Sequence, residues 1–146
     1  MYNTKILLDS MAPCGKRLTT WLLTYPRFVH AELLTHRVFS KNSASSRAIP
    51  IKKMLEMIEN DPVLPVWWGK AQPGMQAREE LEFDKKQKAI EVWLKGMKQS
   101  VAIARELDAL GVHKQIANRV TEPWMFITVV LSATEFDNWW ALRNHP

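Results

Sequence analysis

Cysteine is almost absent from this sequence: Cys14 is the single thiol in 146 residues. One cysteine excludes a framework of intrachain disulfides and favours a reducing compartment such as the cytoplasm. Long apolar runs are absent too, and the short run from Ile6 to Leu8 is followed by Asp9, so we expect neither a signal peptide nor a membrane anchor. Closely spaced cysteine and histidine residues are lacking, which argues against a zinc site.

The composition is typical of a small globular protein with a basic surface. Apolar residues make up 47% of the chain, so residues 1–146 can bury one sizeable core and are expected to form a single domain. Lysine and arginine number 20 against 15 aspartate and glutamate residues, which gives a net charge of +5. Such a surface attracts phosphates, nucleotides or nucleic acids, and charge alone does not choose among them.

The hydrophobic pattern predicts an α+β fold in which a small sheet is packed with long helices. Strands are expected over residues 6–8, 17–25 and 125–131. Helices are expected over residues 27–36, 50–60, 75–110, 113–120 and 134–142. Residues 40–46 are rich in serine and asparagine, whose side chains compete with regular structure, so we expect an ordered loop there.

The segment from Thr35 to Arg47 concentrates polar and basic side chains: two arginines, a lysine, a histidine and several hydroxyls. A phosphate is bound by such a set, because guanidinium groups make charge-assisted hydrogen bonds and hydroxyls satisfy the remaining oxygens. The alternative is a solvated loop whose serines cap the helix that begins near Pro50. Composition alone slightly favours the solvated loop, but the order of the residues favours the phosphate site.

That order resembles the signature of the flavin-dependent thymidylate synthases, which is Arg-His-Arg, two residues, Ser, one residue, Asn-Glu, one residue, Ser, one residue, Arg-Tyr. The chain matches it at His36, Arg37, Ser40, Asn42, Ser45 and Arg47. It differs at Thr35, Ser43 and Ala48, where the signature has Arg, Glu and Tyr.

The resemblance extends over most of the chain. Glu32 stands where the family commonly has Gln, and Asn118-Arg119 followed by Pro123 resembles the family's Arg-x-x-Leu-Pro. Asn138 and Leu142-Arg143 resemble its closing Asn and Leu-Arg. The family's helices beyond that point have no counterpart here, so we expect a truncated or minimal member.

The resemblance implies a homotetrameric α+β enzyme with active sites between subunits. Such an enzyme methylates dUMP with methylenetetrahydrofolate, FAD and NADPH, and it needs no cysteine nucleophile because the hydride comes from the reduced flavin. The flavin would be held by His36, Arg37, Ser40, Asn42 and Asn138. The nucleotide would be held by Glu32, Ser45, Ser46, Arg47, Arg119 and Arg143, and the last two would also be catalytic.

Two alternatives remain open at the level of sequence. The first is a relative that hydroxymethylates dCMP or dUMP with the same folate carbon, since Glu32 and Ser43 depart from the family near the nucleotide site. The second is a noncatalytic relative that binds a nucleotide or nucleic acid. The missing C-terminal helices and the replaced Arg and Glu of the signature favour it, and the retained arginines and serines argue against it. The tryptophans Trp139 and Trp140 are expected to pack in the core or in an interface. His30 is expected to be a surface residue or a hydrogen-bonded one.

Overall fold

A computed structural model describes residues 1–143 of the chain. It divides into two compact units: a sheet unit formed by residues 1–45 and the chain from 126 onward, and a helical unit formed by residues 46–125. The strands are β1 (Asn3–Met11), β2 (Arg17–Pro26), β3 (Ser40–Ser43) and β4 (Phe126–Ala133). The α-helices are α1 (His30–Leu34), α2 (Ile51–Asn60), α3 (Phe83–Ala109), α4 (Lys114–Ala117) and α5 (Asp137–Arg143). The fold is α+β, as the sequence predicts.

Within residues 1–143, the strands of the sheet unit form one antiparallel sheet in the order β1-β2-β4-β3. A turn joins β1 to β2, where Gly15 has φ of +82° and donates its backbone N–H to the carbonyl of Ala12 at 2.9 Å. Glycine adopts this left-handed conformation without the clash that a Cβ would cause. β4 lies between β2 and β3, so its backbone is hydrogen-bonded on both sides and its Ile- and Val-rich sequence suits that place.

One face of this sheet carries the core of the sheet unit. Successive side chains of a strand point to opposite faces, and the odd-numbered residues of β4 from Ile127 to Ala133 are all buried. The residues packed with them come from β2, α1, α5 and the segments beside the helices: Trp21, Leu23, Tyr25, Leu33, Phe39, Phe136 and Trp139. The helices therefore cover this face, which we call the covered face.

The helical unit is built around α3, which is 27 residues long. Its buried residues include Met97, Val101 and Ala104, at the helical spacing that the sequence predicts. They pack with residues of α2, α4 and the segment before β4: Ile51, Met54, Leu55, Ile58, Ala117 and Met125. Trp124 lies so close to α3 that a Cβ on Gly96 would be 3.1 Å from its ring.

Three predicted boundaries are corrected by the structure. Residues 40–43 form strand β3 rather than a loop, because the edge of β4 offers hydrogen bonds that the local composition does not reveal. The long helix begins at Phe83 rather than near residue 75, because the chain before it forms an irregular loop closed by an isolated bridge between Gly69 and Glu80. The helix expected over residues 113–120 is α4 followed by a 3-10 helix, Asn118–Trp124. Among the described residues, no helix combines the length and the apolar character needed to cross a membrane.

Candidate functional site

Two residues implied by the resemblance line one cavity in the sheet unit. Glu32 lies on α1 and Arg143 ends α5, and both border a cavity of about 380 Å³. The other lining residues are Leu23, Tyr25, Val29, Leu33 and Trp139. The Arg143 guanidinium carbon lies 5.6 Å from the centre of the Trp139 ring, within the range of a cation–π contact. We call this space the Glu32–Arg143 cavity.

One wall of the Glu32–Arg143 cavity is fixed by a hydrogen bond that the sequence does not reveal. The Tyr25 hydroxyl and Nδ1 of His30 are 2.7 Å apart. Burial raises the pKa of Tyr25 to about 12. Burial lowers the pKa of His30, and the charges of Arg27 and Lys41 lower it further. At neutral pH the phenol therefore keeps its proton and His30 is neutral, so the pair adds no net charge to the cavity.

A second cavity, of about 310 Å³, brings together two residues that the resemblance assigns to flavin, His36 and Asn138. Val38, Phe39, Glu135, Asp137 and Trp139 also line it. The His36 ring stacks on Phe39, with centroids 5.9 Å apart, and meets Trp139 edge-on at 4.8 Å. Among the described residues, none makes a hydrogen bond with the buried Nε2 of His36. A buried polar atom of this kind is costly unless a ligand or water supplies the missing bond.

A third cavity, of about 240 Å³, is almost entirely aromatic and aliphatic. It is lined by Thr4, Trp21, Leu23, Phe39, Leu131, Phe136, Trp139 and Trp140. The indole N–H of Trp21 is buried and has no hydrogen-bond partner in the described part of the chain. Trp139 borders all three cavities and is thus their common wall.

Lys41 belongs to the basic cluster in the sequence, but the structure uses it to close a helix. Its ammonium group donates to the carbonyl oxygens of Leu33 and Leu34, both at 3.3 Å, and to that of His36. A lysine suits the carboxyl end of a helix, where carbonyl oxygens lack partners within the helix. Burial lowers the pKa of Lys41. Lys41 therefore holds the backbone of His36 and is not directed at a phosphate.

Ser40 and Asn42 lie on the other face of the sheet from His36 and Asn138. In the register of β3 with β4, Ser40 is opposite Ser132 and Asn42 is opposite Val130, whereas Lys41 is opposite the buried Leu131. Ser40 and Asn42 are exposed. The residues assigned to flavin by resemblance are thus divided between two faces of one sheet. Arg37 is exposed in the turn between α1 and β3.

In the helical unit, Asn118 anchors the segment that carries Arg47. The Asn118 side chain is buried, and its amide nitrogen donates to the carbonyls of Ser46 at 3.0 Å and Ile49 at 3.1 Å. Ser46 is buried and Arg47 is exposed; Ser45, the last residue of the sheet unit's first segment, is also exposed. The matched motif includes Asn118, but the resemblance assigns this residue no role. In the sequence, only its position next to Arg119 indicates that Asn118 is important.

Arg119 is exposed in the 3-10 helix of the same unit. Its guanidinium lies 3.1 Å from the carboxylate of Glu122, one helical turn away. An ion pair this exposed contributes little to stability, so the guanidinium can exchange Glu122 for a ligand at small cost.

Comparisons with known proteins identify the fold. No family model matches the chain, and no curated protein matches its sequence. Two crystal structures of the UMP/dUMP methylase PolB from Streptomyces cacaoi are similar to it in structure. The one bound with 5-Br dUMP has a TM-score of 0.59 and 17% identity, over 80% of this chain and 49% of that one. The one bound with 5-Br UMP has a TM-score of 0.69 and 13% identity, over 92% of this chain and 71% of that one.

In the first of these comparisons the chain spans about half the length of the methylase. Identities this low establish a shared fold, and chemistry has to be argued from the site. In the sheet unit, that site offers a carboxylate and a guanidinium that line one cavity, an imidazole nitrogen in a second that has no hydrogen-bond partner among residues 1–143, and a tryptophan that lines both. The arrangement suits flat, polar-edged ring systems, which stack on aromatic walls and hydrogen-bond at their edges.

Proposed function

We propose that this chain is a flavin-dependent pyrimidine-nucleotide methylase, which transfers a folate-borne carbon to C5 of the base. One observation carries the proposal. Residues matched from the signature and from the end of the chain, far apart in sequence, line cavities that share Trp139, on a fold shared with a UMP/dUMP methylase. The sequence resemblance and the shared fold are separate observations, and both favour a nucleotide-modifying enzyme.

The cavity of His36 and Asn138 fits part of a flavin. The buried Nε2 of His36 lacks a hydrogen-bond partner in the described chain, and a flavin ring carries carbonyl oxygens and ring nitrogens that could provide one. Phe39 and Trp139 give the cavity aromatic walls. When bound, a flavin reduced by NADPH supplies the hydride that converts a methylene from methylenetetrahydrofolate into the new methyl group.

The chain's own residues bind and orient the nucleotide. In the proposal, Glu32 and Arg143 hydrogen-bond the edge of the base, and Trp139 holds one of its faces. Leu23 and Leu33 line the same cavity and give the base an apolar surface to pack against, while Glu32 and Arg143 stand at its exposed edge. For the segment around Arg47 the proposal keeps the roles that the resemblance implies: Arg47, with Ser45 and Ser46, binds a phosphate, and Arg119 supplies a further cation.

The proposal includes a homo-oligomer, with a tetramer as the form that the resemblance implies. Ser40 and Asn42 face away from the cavity of His36 and Asn138, so a second copy would let the two faces contribute to one flavin site. The hairpin of β1 and β2 leaves apolar side chains exposed, including Ile6, Leu8, Met11 and Leu18. Such a surface is typical of an interface between subunits.

A hydroxymethylase is the second candidate, because Glu32 lines the cavity proposed for the base. It would use the same folate carbon but add water to it in place of a hydride. The two activities share the loss of the hydrogen on C5 and differ in the mass of the product, so a single reaction mixture separates them.

The test is release of tritium from nucleotides labelled at C5, with FAD, NADPH and methylenetetrahydrofolate present, followed by mass spectrometry of the product. We expect the wild type to release tritium and Arg143→Ala to lose most of this activity. The matched control Arg78→Ala should release tritium like the wild type, because Arg78 lies in the exposed connection before α3. A purified protein that neither binds FAD nor releases tritium from any pyrimidine nucleotide would refute the proposal.

A further inference from the structure

The Glu32–Arg143 cavity presents an acceptor and a donor that are not paired with each other. A carboxylate only accepts hydrogen bonds and a guanidinium only donates them. Within residues 1–143, no ion pair joins Glu32 to Arg143, although both line the same cavity of about 380 Å³. A ligand in this cavity therefore meets one group that only accepts hydrogen bonds and one that only donates them.

The two kinds of pyrimidine satisfy these demands differently. Cytosine carries a 4-amino donor beside two acceptors, the ring nitrogen N3 and the oxygen O2. A carboxylate can accept from the amino group while a guanidinium donates to N3 and O2 together. Uracil carries carbonyl oxygens on both sides of its N3–H. A carboxylate that accepts from that N3–H lies between two carbonyl oxygens; the guanidinium can bond one of them, and the other repels the carboxylate.

We infer that Glu32 selects the base and makes the cavity prefer a 4-aminopyrimidine, so that cytosine nucleotides bind more tightly than uracil nucleotides. The inference rests on the proposed function, because it assigns this cavity to the base. The remaining walls strengthen the selection. Leu23, Val29, Leu33 and Trp139 are apolar, so they offer a mismatched base edge no hydrogen bond in exchange. The hydroxyl of Tyr25 is already engaged with His30.

Charge and geometry can be separated by one isosteric change. Glu32→Gln keeps the shape of the side chain and replaces one acceptor oxygen by an NH2 donor, which can bond a uracil carbonyl. The Glu32 side chain makes no hydrogen bond within the described residues, so Glu32→Gln removes no hydrogen bond that stabilises the fold. The matched control is Glu56→Gln, which removes the same charge from the exposed side of α2 in the other unit.

The experiment is calorimetric titration of dCMP and dUMP, with phosphate alone as a reference, into the wild type and both variants. We expect the wild type to bind dCMP roughly ten- to a hundredfold more tightly than dUMP. The ratio should fall below one in Glu32→Gln and stay at the wild-type value in Glu56→Gln. Circular dichroism melts check that both variants fold.

The possible failures are distinguishable. If the wild type prefers dUMP, or if Glu32→Gln keeps the wild-type ratio, base selection by Glu32 is wrong while the proposed nucleotide chemistry stands. If no protein binds either nucleotide better than phosphate, the base does not occupy this cavity, and both the inference and the proposed function are overturned.

Discussion

Replacing Asn118 by Ala should destabilise the protein more than any surface change. The side chain is 1% exposed, and its amide donates to the carbonyls of Ser46 and Ile49 at 3.0 and 3.1 Å. Alanine removes two hydrogen bonds and leaves two carbonyls without that donor. A lost hydrogen bond costs about 0.5–1.5 kcal/mol, and an unsatisfied buried group about 1–3 kcal/mol, so we expect a loss of roughly 2–4 kcal/mol in the free energy of unfolding.

Urea denaturation measures this loss, with Asn60→Ala at the end of the exposed side of α2 as the control that should change little. Asn118→Asp keeps the size of the side chain but turns an oxygen toward each carbonyl, so it should be at least as destabilising as Ala. If Asp were neutral and Ala costly, packing rather than hydrogen bonding would explain the effect. An Asn118→Ala variant within 0.5 kcal/mol of the wild type would refute the anchor altogether.

Three further outcomes follow from the structure and the proposed function. Arg47→Ala should weaken nucleotide binding by about 1.5–3 kcal/mol, or roughly one to two decades in Kd. Arg47→Lys should recover part of the lost affinity, because an ammonium keeps the charge without the planar fork of a guanidinium. Unchanged titration curves would show that Arg47 does not bind the phosphate. His36→Ala should weaken FAD binding in a fluorescence titration far more than dUMP binding, and equal losses would contradict a flavin-specific role. Burial raises the pKa of Tyr25 from 10.0 to about 12, so the contribution of its protonated phenol to stability is complete below pH 10 and is lost as the pH rises toward 12. In Tyr25→Phe the free energy of unfolding should therefore fall less over that range. An equal fall in the variant would show that other groups cause it.

The long elements of the fold are predictable from the sequence because the apolar pattern within each one matches the face that it buries. The stripe through Met97, Val101 and Ala104 repeats at the helical period and is buried in α3. The apolar run of β4 is likewise buried on the covered face, and β2 has the predicted start at Arg17. In these segments local pattern and tertiary surroundings favour the same structure.

The short segments escaped prediction because neighbours decide them. Residues 40–43 have a composition that favours turns, yet the open edge of β4 draws them into a strand. Once a strand forms, alternation places Lys41 toward the core and Ser40 and Asn42 away from it. A loop has no such alternation, so the division of the proposed flavin residues between two faces could not be derived without the structure.

The candidate site depends on the geometry of α5 more than on any other element. Trp139 and Arg143 are four residues apart and therefore share a side of the helix, where the guanidinium lies over the indole ring. Asn138 precedes Trp139 by one residue, which turns it by about 100° around the helix, and it lines the cavity of His36 instead. One inserted residue between Asn138 and Arg143 would turn Arg143 away from Glu32 by the same angle. The spacing of the closing asparagine and arginine, noticed in the sequence as a motif, is thus a physical requirement: it sets which residue faces the proposed flavin cavity and which faces the proposed base.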